Sequence, residues 1–229
     1  IIRLCLMEKP TPKQLAQKLK IDHNSDLTEA LHVLELSGFL ERDFVFDPTN
    51  GRVKKASRLR VKDNYTRFYL KIIEPLSVNV LKGGKKFQNL SDLKNLSAIR
   101  GYQFENIILA NKDLVHKKLN IKDHQLVSSA PYFQVKNTNT PQGCQVDLLI
   151  HIDLDVFFVC EFKAEYEVTK DVVKSMKKKM VAIQVPKRSS LKPVLIYSGN
   201  LYPTHRNEIE EYFYKLIHVS ELFELDGER

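Results

Sequence analysis

The chain has 229 residues, and its hydrophobic content of 43% supports a packed core and excludes wholesale disorder. Three widely spaced cysteines exclude a disulfide framework and a zinc site, and the lack of a long apolar run excludes a membrane-spanning segment and a membrane partner. These features indicate a cytoplasmic protein, and the formal net charge of +8 favours an anionic partner such as nucleic acid, although many basic proteins bind none.

A helix–helix–hairpin pattern occupies residues 1–61. Thr11 can cap a first helix, Ser25 or Asp26 can cap a second, and both helices carry leucines at helical spacing. Two strand-like segments joined by a strong turn follow over residues 39–61. This order within one short segment predicts a helix-turn-helix with a wing, that is, a small winged-helix domain.

The predicted winged helix has two functional interpretations. Its basic wing, with Lys54 and Lys55 as candidate nucleic-acid contacts, could lie on DNA. The predicted recognition helix, however, carries Asp26, Glu29 and Glu35, which phosphates would repel. Modules of this kind also serve as protein-contact units, so the sequence leaves the role of this domain open.

A connector and an α/β region follow the predicted winged helix. Residues 62–99 predict a helical connector, in which apolar side chains repeat at helical spacing. Residues 100–229 alternate between helical and strand-like patterns, which predicts an α/β domain with a mixed sheet. The predicted elements are a helix over 102–119, strands over 125–135, 145–152 and 156–164, a helix over 169–185, a strand over 192–197 and a helix over 207–223.

Three charged residues interrupt the two most apolar predicted strands. Asp147 lies in one strand, and Glu161 and Lys163 lie in the next. A buried charge is costly unless it is paired or binds a metal. Side chains two residues apart on a strand share a face, so Glu161 and Lys163 point the same way. These positions therefore predict a site rather than three separate surface charges.

The length of the loop between these strands decides whether Asp147 joins the other two residues. If residues 153–155 form a three-residue loop, Ile152 pairs with Val156 and Asp147 then lies opposite Glu161. Directly opposed Cβ atoms are about 4.5–5.5 Å apart, which is close enough for both carboxylates to bind one cation. We therefore predict a three-residue loop, or an equivalent register set by a bulge.

A hard divalent cation, Mg²⁺ or Mn²⁺, is the predicted cofactor of this site. Two close carboxylates repel each other unless a positive charge lies between them, and Mg²⁺ prefers oxygen ligands. Asp147 and Glu161 are the predicted metal ligands, with the backbone carbonyl of Phe162 as a third. Lys163 would orient the nucleophile or balance charge on a phosphate. The alternative is an ordinary Glu161–Lys163 surface pair, with Asp147 ending a turn.

The spacing of these residues resembles a known catalytic signature. Asp147, followed 14 residues later by Glu161-Phe162-Lys163, is similar to the D…ExK motif of the PD-(D/E)XK, or restriction-endonuclease-like, superfamily. The α-β-β-β-α-β order from residue 100 onwards resembles the core of that superfamily. The resemblance implies a catalytic acid on the first helix, which Glu105 matches, although Glu105 could equally be a polar residue at a helix edge. It also implies a lysine on the helix after the ExK strand, either Lys178 or Lys179.

Nearly the whole chain is similar to the C-terminal half of a group of bacterial and archaeal P-loop (AAA-type) ATPases. In that group an ATPase module precedes a winged helix and a PD-(D/E)XK-like domain, so ATP would bind only to a missing N-terminal module. The chain begins at Ile1 rather than methionine, as expected for such a piece. One departure is that the connector lacks the tryptophan that often follows Arg-Phe in the group. The matching segments are residues 61–69, 104–106, 143–147 and 160–163.

Two functions are consistent with these observations. The first is an Mg²⁺-dependent nuclease that hydrolyses phosphodiesters, with DNA favoured over RNA as substrate. The second is a catalytically inactive nuclease-fold module that binds DNA or a protein under the control of the ATPase. In either case a lysine-rich helix could follow the nucleic-acid backbone. Its candidate contacts are Lys174, Lys177, Lys178 and Lys179.

Overall fold

The computed structural model describes residues 1–83, 93, 95–134 and 142–224, which form two compact units. Unit 1 comprises Ile1–Phe44 and Lys55–Asn106, and unit 2 comprises Val45–Lys54 and Ile107–Arg229. These boundaries differ from the predicted division into residues 1–61, 62–99 and 100–229. The turn end of the N-terminal hairpin belongs to unit 2, and the long helix after the connector belongs to unit 1 as far as Asn106.

Unit 1 contains the predicted helix–helix–hairpin. Thr11 caps the first long helix as predicted, because its Oγ1 accepts a hydrogen bond from the Gln14 N–H at 3.2 Å. The cap of the next helix is Asn24 rather than Ser25 or Asp26, since the Asn24 side chain accepts from the Leu27 N–H at 3.1 Å. The elements are α1 (Ile2–Cys5), α2 (Pro12–Leu19), α3 (Ser25–Leu36), β1 (Leu40–Phe46) and β2 (Val53–Val61).

The connector is helical, as predicted, and it continues into a long helix. It comprises α4 (Asn64–Phe68), a π-helical turn (Tyr69–Ile73) and α5 (Glu74–Leu81). Residues 84–92 and 94 lie outside the described part of the chain. The helix predicted over 102–119 is instead two helices with a break at Asn111, α6 (Leu96–Ala110) and α7 (Lys112–Lys118).

Unit 2 is an α/β structure built on a mixed five-stranded sheet, as predicted. The strand order is β3-β4-β5-β6-β7; β4 is antiparallel to β3 and β5, and β6 is parallel to β5 and β7. The elements are β3 (Leu126–Gln134), β4 (Cys144–Ile152), β5 (Val156–Val168), α8 (Asp171–Ala182), β6 (Ser190–Leu201), α9 (Arg206–Tyr212), β7 (Lys215–His218) and α10 (Val219–Leu222).

The helix predicted over 207–223 is confirmed only at its two ends, over Arg206–Tyr212 and Val219–Leu222, because a strand lies between them. α9 ends at Tyr212, and the chain then forms β7, which pairs with β6 from Val194↔Lys215 to Tyr197↔His218. No glycine or proline marks this change in the sequence, and the spacing of the apolar residues suits a helix as well as a strand. β7 covers the edge of β6 that would otherwise have unpaired backbone groups, and Ile217 of β7 is completely buried.

One hydrophobic cluster of unit 2 lies between the sheet and helices α8 and α9. Val172, Val173 and Met176 of α8 are buried against strand residues such as Val159 and Leu195. Spacings of three and four residues place these α8 side chains on one face, which leaves Lys174, Lys177 and Lys178 exposed on the other side of the helix. Within the described residues, no helix is long and apolar enough to cross a membrane.

Candidate functional site

The β4–β5 hairpin sets the register of the candidate site. Ile152 pairs with Val156 across a loop of three residues, 153–155, which confirms the predicted loop length. The pairing continues to Leu148↔Cys160, so the next step outward brings Asp147 opposite Glu161. Asp147 and Glu161 therefore lie opposite each other on neighbouring strands, as the sequence predicted.

A β-bulge lies at Asp147 on the other side of β4. Ala130 pairs with Leu149 and Tyr132 pairs with Val146, so β4 has one more residue than β3 in this interval. Pro131 of the edge strand β3 lies opposite the extra residue, and bulges on edge strands are positions where proline is tolerated. The Asp147 carboxylate instead accepts a hydrogen bond at Oδ2 from the Phe162 N–H of β5, at 2.8 Å. The bulge and this bond hold Asp147 toward the ExK segment.

Glu161 is buried between two lysines. Its side chain is only 6% exposed. Oε2 is ion-paired with Lys179 of α8, and Oε1 lies 3.5 Å from Lys163 Nζ. Lys163 also lies 3.7 Å from Glu165. Of the two helix lysines considered from the sequence, Lys179 contacts Glu161, whereas Lys178 is exposed.

The charged groups around Glu161 affect one another's pKa. Burial raises the pKa of the Glu161 carboxyl, and the nearby Asp147 carboxylate raises it further, while the two lysines act in the opposite direction. Burial alone would lower the pKa of Lys179, but Asp147 and Glu161 outweigh it and the net shift is upward. The site therefore favours a positive charge beside its two carboxyl groups.

A pocket of about 740 Å³ opens beside Asp147. Its walls come from the start of β4 and from the C-terminal half of α8. Gln134 connects these walls, because its side-chain N–H₂ donates to the carbonyls of Gln142 (2.9 Å) and Ala182 (3.0 Å). The lining residues are Gln142, Gly143, Cys144, Gln145, Asp147, Ser175, Lys178, Lys179 and Ala182.

Sequence reasoning missed Gln134 and most of the pocket lining. Gln134 also accepts hydrogen bonds from the Gln184 N–H and the Tyr132 hydroxyl, so its amide makes four contacts. Three of these partners are backbone groups, which leave no residue-type pattern. A single glutamine near the end of a strand therefore gave no signal.

Glu105, the catalytic acid that the resemblance implied, lies in unit 1. Its carboxylate forms a buried ion pair with Lys9, with side chains 9% and 12% exposed. The neighbouring Asn106 accepts a hydrogen bond from buried Arg60, which also forms a bidentate ion pair with Asp43. Its role as a catalytic acid stays a prediction.

The lysines predicted to contact nucleic acid have different surroundings. Lys174 lies 3.0 Å from Asp171, Lys177 lies over the ring of Tyr212, and Lys178 lines the pocket. Lys179 is engaged with Glu161, so its ammonium belongs to the carboxylate site rather than to the exposed lysine face. In the hairpin, Lys54 lies 3.2 Å from Asp47, and Lys55 is exposed.

The donor set at the site fits a hard cation in type. Asp147 and Glu161 supply carboxylate oxygens, and the Phe162 backbone, whose N–H contacts Asp147, carries its carbonyl on the same side of β5. Within the described ranges, no cluster of three or more His, Cys, Asp or Glu residues is arranged to bind a metal. A cation here would therefore have two protein carboxylates and otherwise backbone or water oxygens.

Comparison with known proteins gives one weak likeness. No protein-family profile matches the sequence, and no curated protein sequence shows significant similarity to it. A crystal structure that resembles the chain is that of protein VC1899 from Vibrio cholerae, with a TM-score of 0.38 and 14% identity. The match covers 66% of this chain and 39% of VC1899. A likeness at this level identifies neither a family nor a function.

Proposed function

We propose that unit 2 is a metal-dependent nuclease domain that hydrolyses nucleic-acid phosphodiesters. The observation that carries this proposal is the approach of Asp147 to Glu161 and Lys163 on paired strands, beside an open pocket. An ordinary surface ion pair would not require a β-bulge, a buried carboxylate and a lysine from a helix to occur at one position. Burying charged side chains costs free energy, and a cluster of them therefore favours a functional site.

We also propose a restriction-endonuclease-like core in unit 2 and a winged helix in unit 1. In unit 2, the end of α6 with α7, followed by β3, β4, β5, α8 and β6, matches the α-β-β-β-α-β order of a restriction-endonuclease-like core. Helices α2 and α3 with the β1–β2 hairpin match the order of a winged helix. An attached N-terminal ATPase module would then precede Ile1, as the resemblance to P-loop ATPases implies.

The residues of the site would have different roles in hydrolysis. A water oxygen forms a bond to phosphorus while the bond to the leaving ester oxygen breaks, and negative charge accumulates on the phosphate oxygens. Asp147, Glu161 and the Phe162 carbonyl would hold Mg²⁺ or Mn²⁺, whose charge stabilises that negative charge. Lys163, with its ammonium 3.5 Å from Glu161, is placed to orient the water or to offset charge on the phosphate.

A second candidate function is supported by the Lys179–Glu161 ion pair. Asp147, Glu161, Lys163 and Lys179 carry charges that sum to zero when all four are ionised, so the site is neutral without a metal. A binding module that has lost catalysis would keep such a closed ion pair as a structural feature. Nucleic-acid or protein binding under the control of an ATPase is therefore the alternative.

Metal binding separates the two candidates. We expect Mn²⁺ or Mg²⁺ titrated by calorimetry to bind the wild-type chain and to bind Asp147→Asn at least about 10-fold more weakly, because a hard cation loses a charged oxygen ligand. Asp153→Asn is the matched control, since Asp153 lies in the exposed loop of the same hairpin. Equal binding by wild type and Asp147→Asn would remove the metal from the proposal.

Cleavage tests the proposal directly. We expect labelled oligonucleotides to be cut in the presence of the metal, and Glu161→Gln or Lys163→Ala to lower the rate by at least about 100-fold, as the loss of a charge-stabilising group does elsewhere. Glu167→Gln, an exposed carboxylate of the same strand, should cut at the wild-type rate. Metal binding without cleavage of any DNA or RNA would favour the binding module.

A further inference from the structure

The pocket beside Asp147 has a lining unlike that of a simple phosphate site. Gln142, Gln145 and Ser175 contribute neutral polar side chains to it, beside the charged side chains of Asp147, Lys178 and Lys179. Amide and hydroxyl side chains donate and accept hydrogen bonds, which is how base edges are recognised, whereas lysines mainly contact phosphates. The lining therefore suits a nucleoside next to a phosphate.

Hydrogen bonds within the protein hold the walls of the pocket together. The Gln134 amide connects the chain at Gln142 to the end of α8 at Ala182. A second connection joins the same walls, because the Cys144 thiol contacts the Lys179 carbonyl at 3.8 Å. A pocket whose walls are already fixed loses less entropy when it binds a ligand.

Size and position restrict the ligand. A volume of about 740 Å³ lies in the range of pockets that hold a single small molecule, and a nucleotide is of that size while a duplex is not. Asp147 belongs both to this pocket and to the carboxylate pair, so a phosphate at the pair would leave its neighbouring nucleoside at the pocket. A paired base could enter only after leaving its stack, which costs free energy.

We propose that this pocket binds one unpaired nucleotide beside the phosphate to be cut, so that the substrate is single-stranded nucleic acid. The inference rests on the proposed function for the cleavage step, but nucleotide binding can be tested without cleavage. Lys178 would contact the backbone, and Gln145 and Ser175 would contact the base or sugar.

Binding in EDTA tests the pocket while catalysis is suppressed. Fluorescence anisotropy would compare a labelled 12-mer as a single strand and in a duplex, in DNA and RNA versions, at about 150 mM salt. We expect the single strand to bind about 10-fold more tightly, although electrostatics alone favours the duplex because of its higher charge density.

A pocket-filling variant supplies the matched comparison. Ser175→Trp places a large side chain in the pocket and should weaken single-strand binding by about 10-fold, the effect of losing one bound base. Val181→Trp adds the same bulk to the same helix at a position 82% exposed and outside the pocket lining, so it should bind like the wild type. Gln145→Ala should weaken binding by a smaller factor, and Gln145→Asn should restore part of it.

The outcomes distinguish this inference from the proposed function. Equal or tighter binding of the duplex, or equal binding by Ser175→Trp and Val181→Trp, would overturn the nucleotide pocket. Single-strand preference that Ser175→Trp abolishes supports the pocket even if no oligonucleotide is cut. In that case the nuclease proposal fails and the pocket stands. If cutting occurs, the single strand should be cut about 10-fold faster than the duplex, and comparable rates would count against the pocket.

Discussion

The side chain of Glu161 has the most constrained environment in the site. It is buried, contacts ammonium groups on two sides, and has the Asp147 carboxylate nearby. Burial raises the pKa of Glu161, so its ionised form depends on Lys179 and Lys163. Lys179 therefore acts as the counter-ion of the Glu161 carboxylate. Its removal should change the free energy of unfolding by an amount that depends on pH.

We predict that Lys179→Met lowers the free energy of unfolding by about 3 kcal/mol at pH 7, because it leaves a buried carboxylate without its closest partner. The pKa of Glu161 is already raised, so the loss should shrink at low pH, where the carboxyl is protonated, and grow as pH rises through the folded-state pKa. Urea unfolding between pH 5 and 8 would measure this.

Two variants serve as controls for that prediction. Lys178→Met changes the neighbouring exposed lysine and should leave stability nearly unchanged. Adding Glu161→Gln to Lys179→Met removes the buried charge and should recover much of the loss. A loss in Lys179→Met that does not depend on pH would show that packing, rather than charge, is responsible.

At the scale of elements, strand β5 and its neighbours carry a second bulge beyond the site. Ala164 pairs with Ser198 and Glu167 pairs with Asn200, so β5 has one extra residue opposite Gly199. Gly199 has a φ of +83°, and a Cβ added there would lie 2.3 Å from the Glu165 carbonyl oxygen. The end of β5 that follows Lys163 therefore bends at a position that only glycine fits.

Gly199→Ala should destabilise the protein by about 2–4 kcal/mol, because it adds a left-handed non-glycine residue and a clash with backbone. Gly38→Ala isolates the first effect, since Gly38 has a φ of +77° and nothing within 4 Å of an added Cβ. It should cost only about 1 kcal/mol. Thermal or urea unfolding would compare them, and equal losses would contradict the backbone clash.

On the scale of the whole molecule, each unit has its own core, and unit 2 contains two buried histidines. His151 is 4% exposed and stacks on Phe157 with ring centroids 4.1 Å apart. His116 is 7% exposed and shares a hydrogen bond of 2.9 Å with the Ser129 hydroxyl. Burial lowers the pKa of both imidazoles, more than the nearby Asp155 and Asp113 carboxylates raise it.

Unit 2 should therefore lose stability under mild acid. A histidine whose folded-state pKa is depressed favours the neutral form, so its contribution is present above the unfolded pKa of about 6.5 and is lost as pH falls below it. We expect the free energy of unfolding to fall between pH 7 and 5, because each histidine binds a proton more readily in the unfolded chain. Urea unfolding of His151→Leu and His116→Leu should show a flatter pH dependence, and an unchanged slope in the double variant would contradict this.

The local part of the site could be predicted from the sequence. Alternation along two apolar strands and the length of one loop determine which residues face each other, and both are properties of a continuous segment. That is why the pairing of Ile152 with Val156, and the level of Asp147 against Glu161, followed from counting. The α/β class and the mixed sheet were likewise visible in the alternation of patterns.

The sequence by itself thus determined the hairpin that brings the carboxylates together, because its contacts lie close along the chain. Only the tertiary structure decided that Lys179 closes onto Glu161, that Gln134 joins the pocket walls, and that β7 replaces the end of a helix. Each of these contacts joins segments that packing brings together, and hydrophobic periodicity reports which face is buried but not what it is buried against.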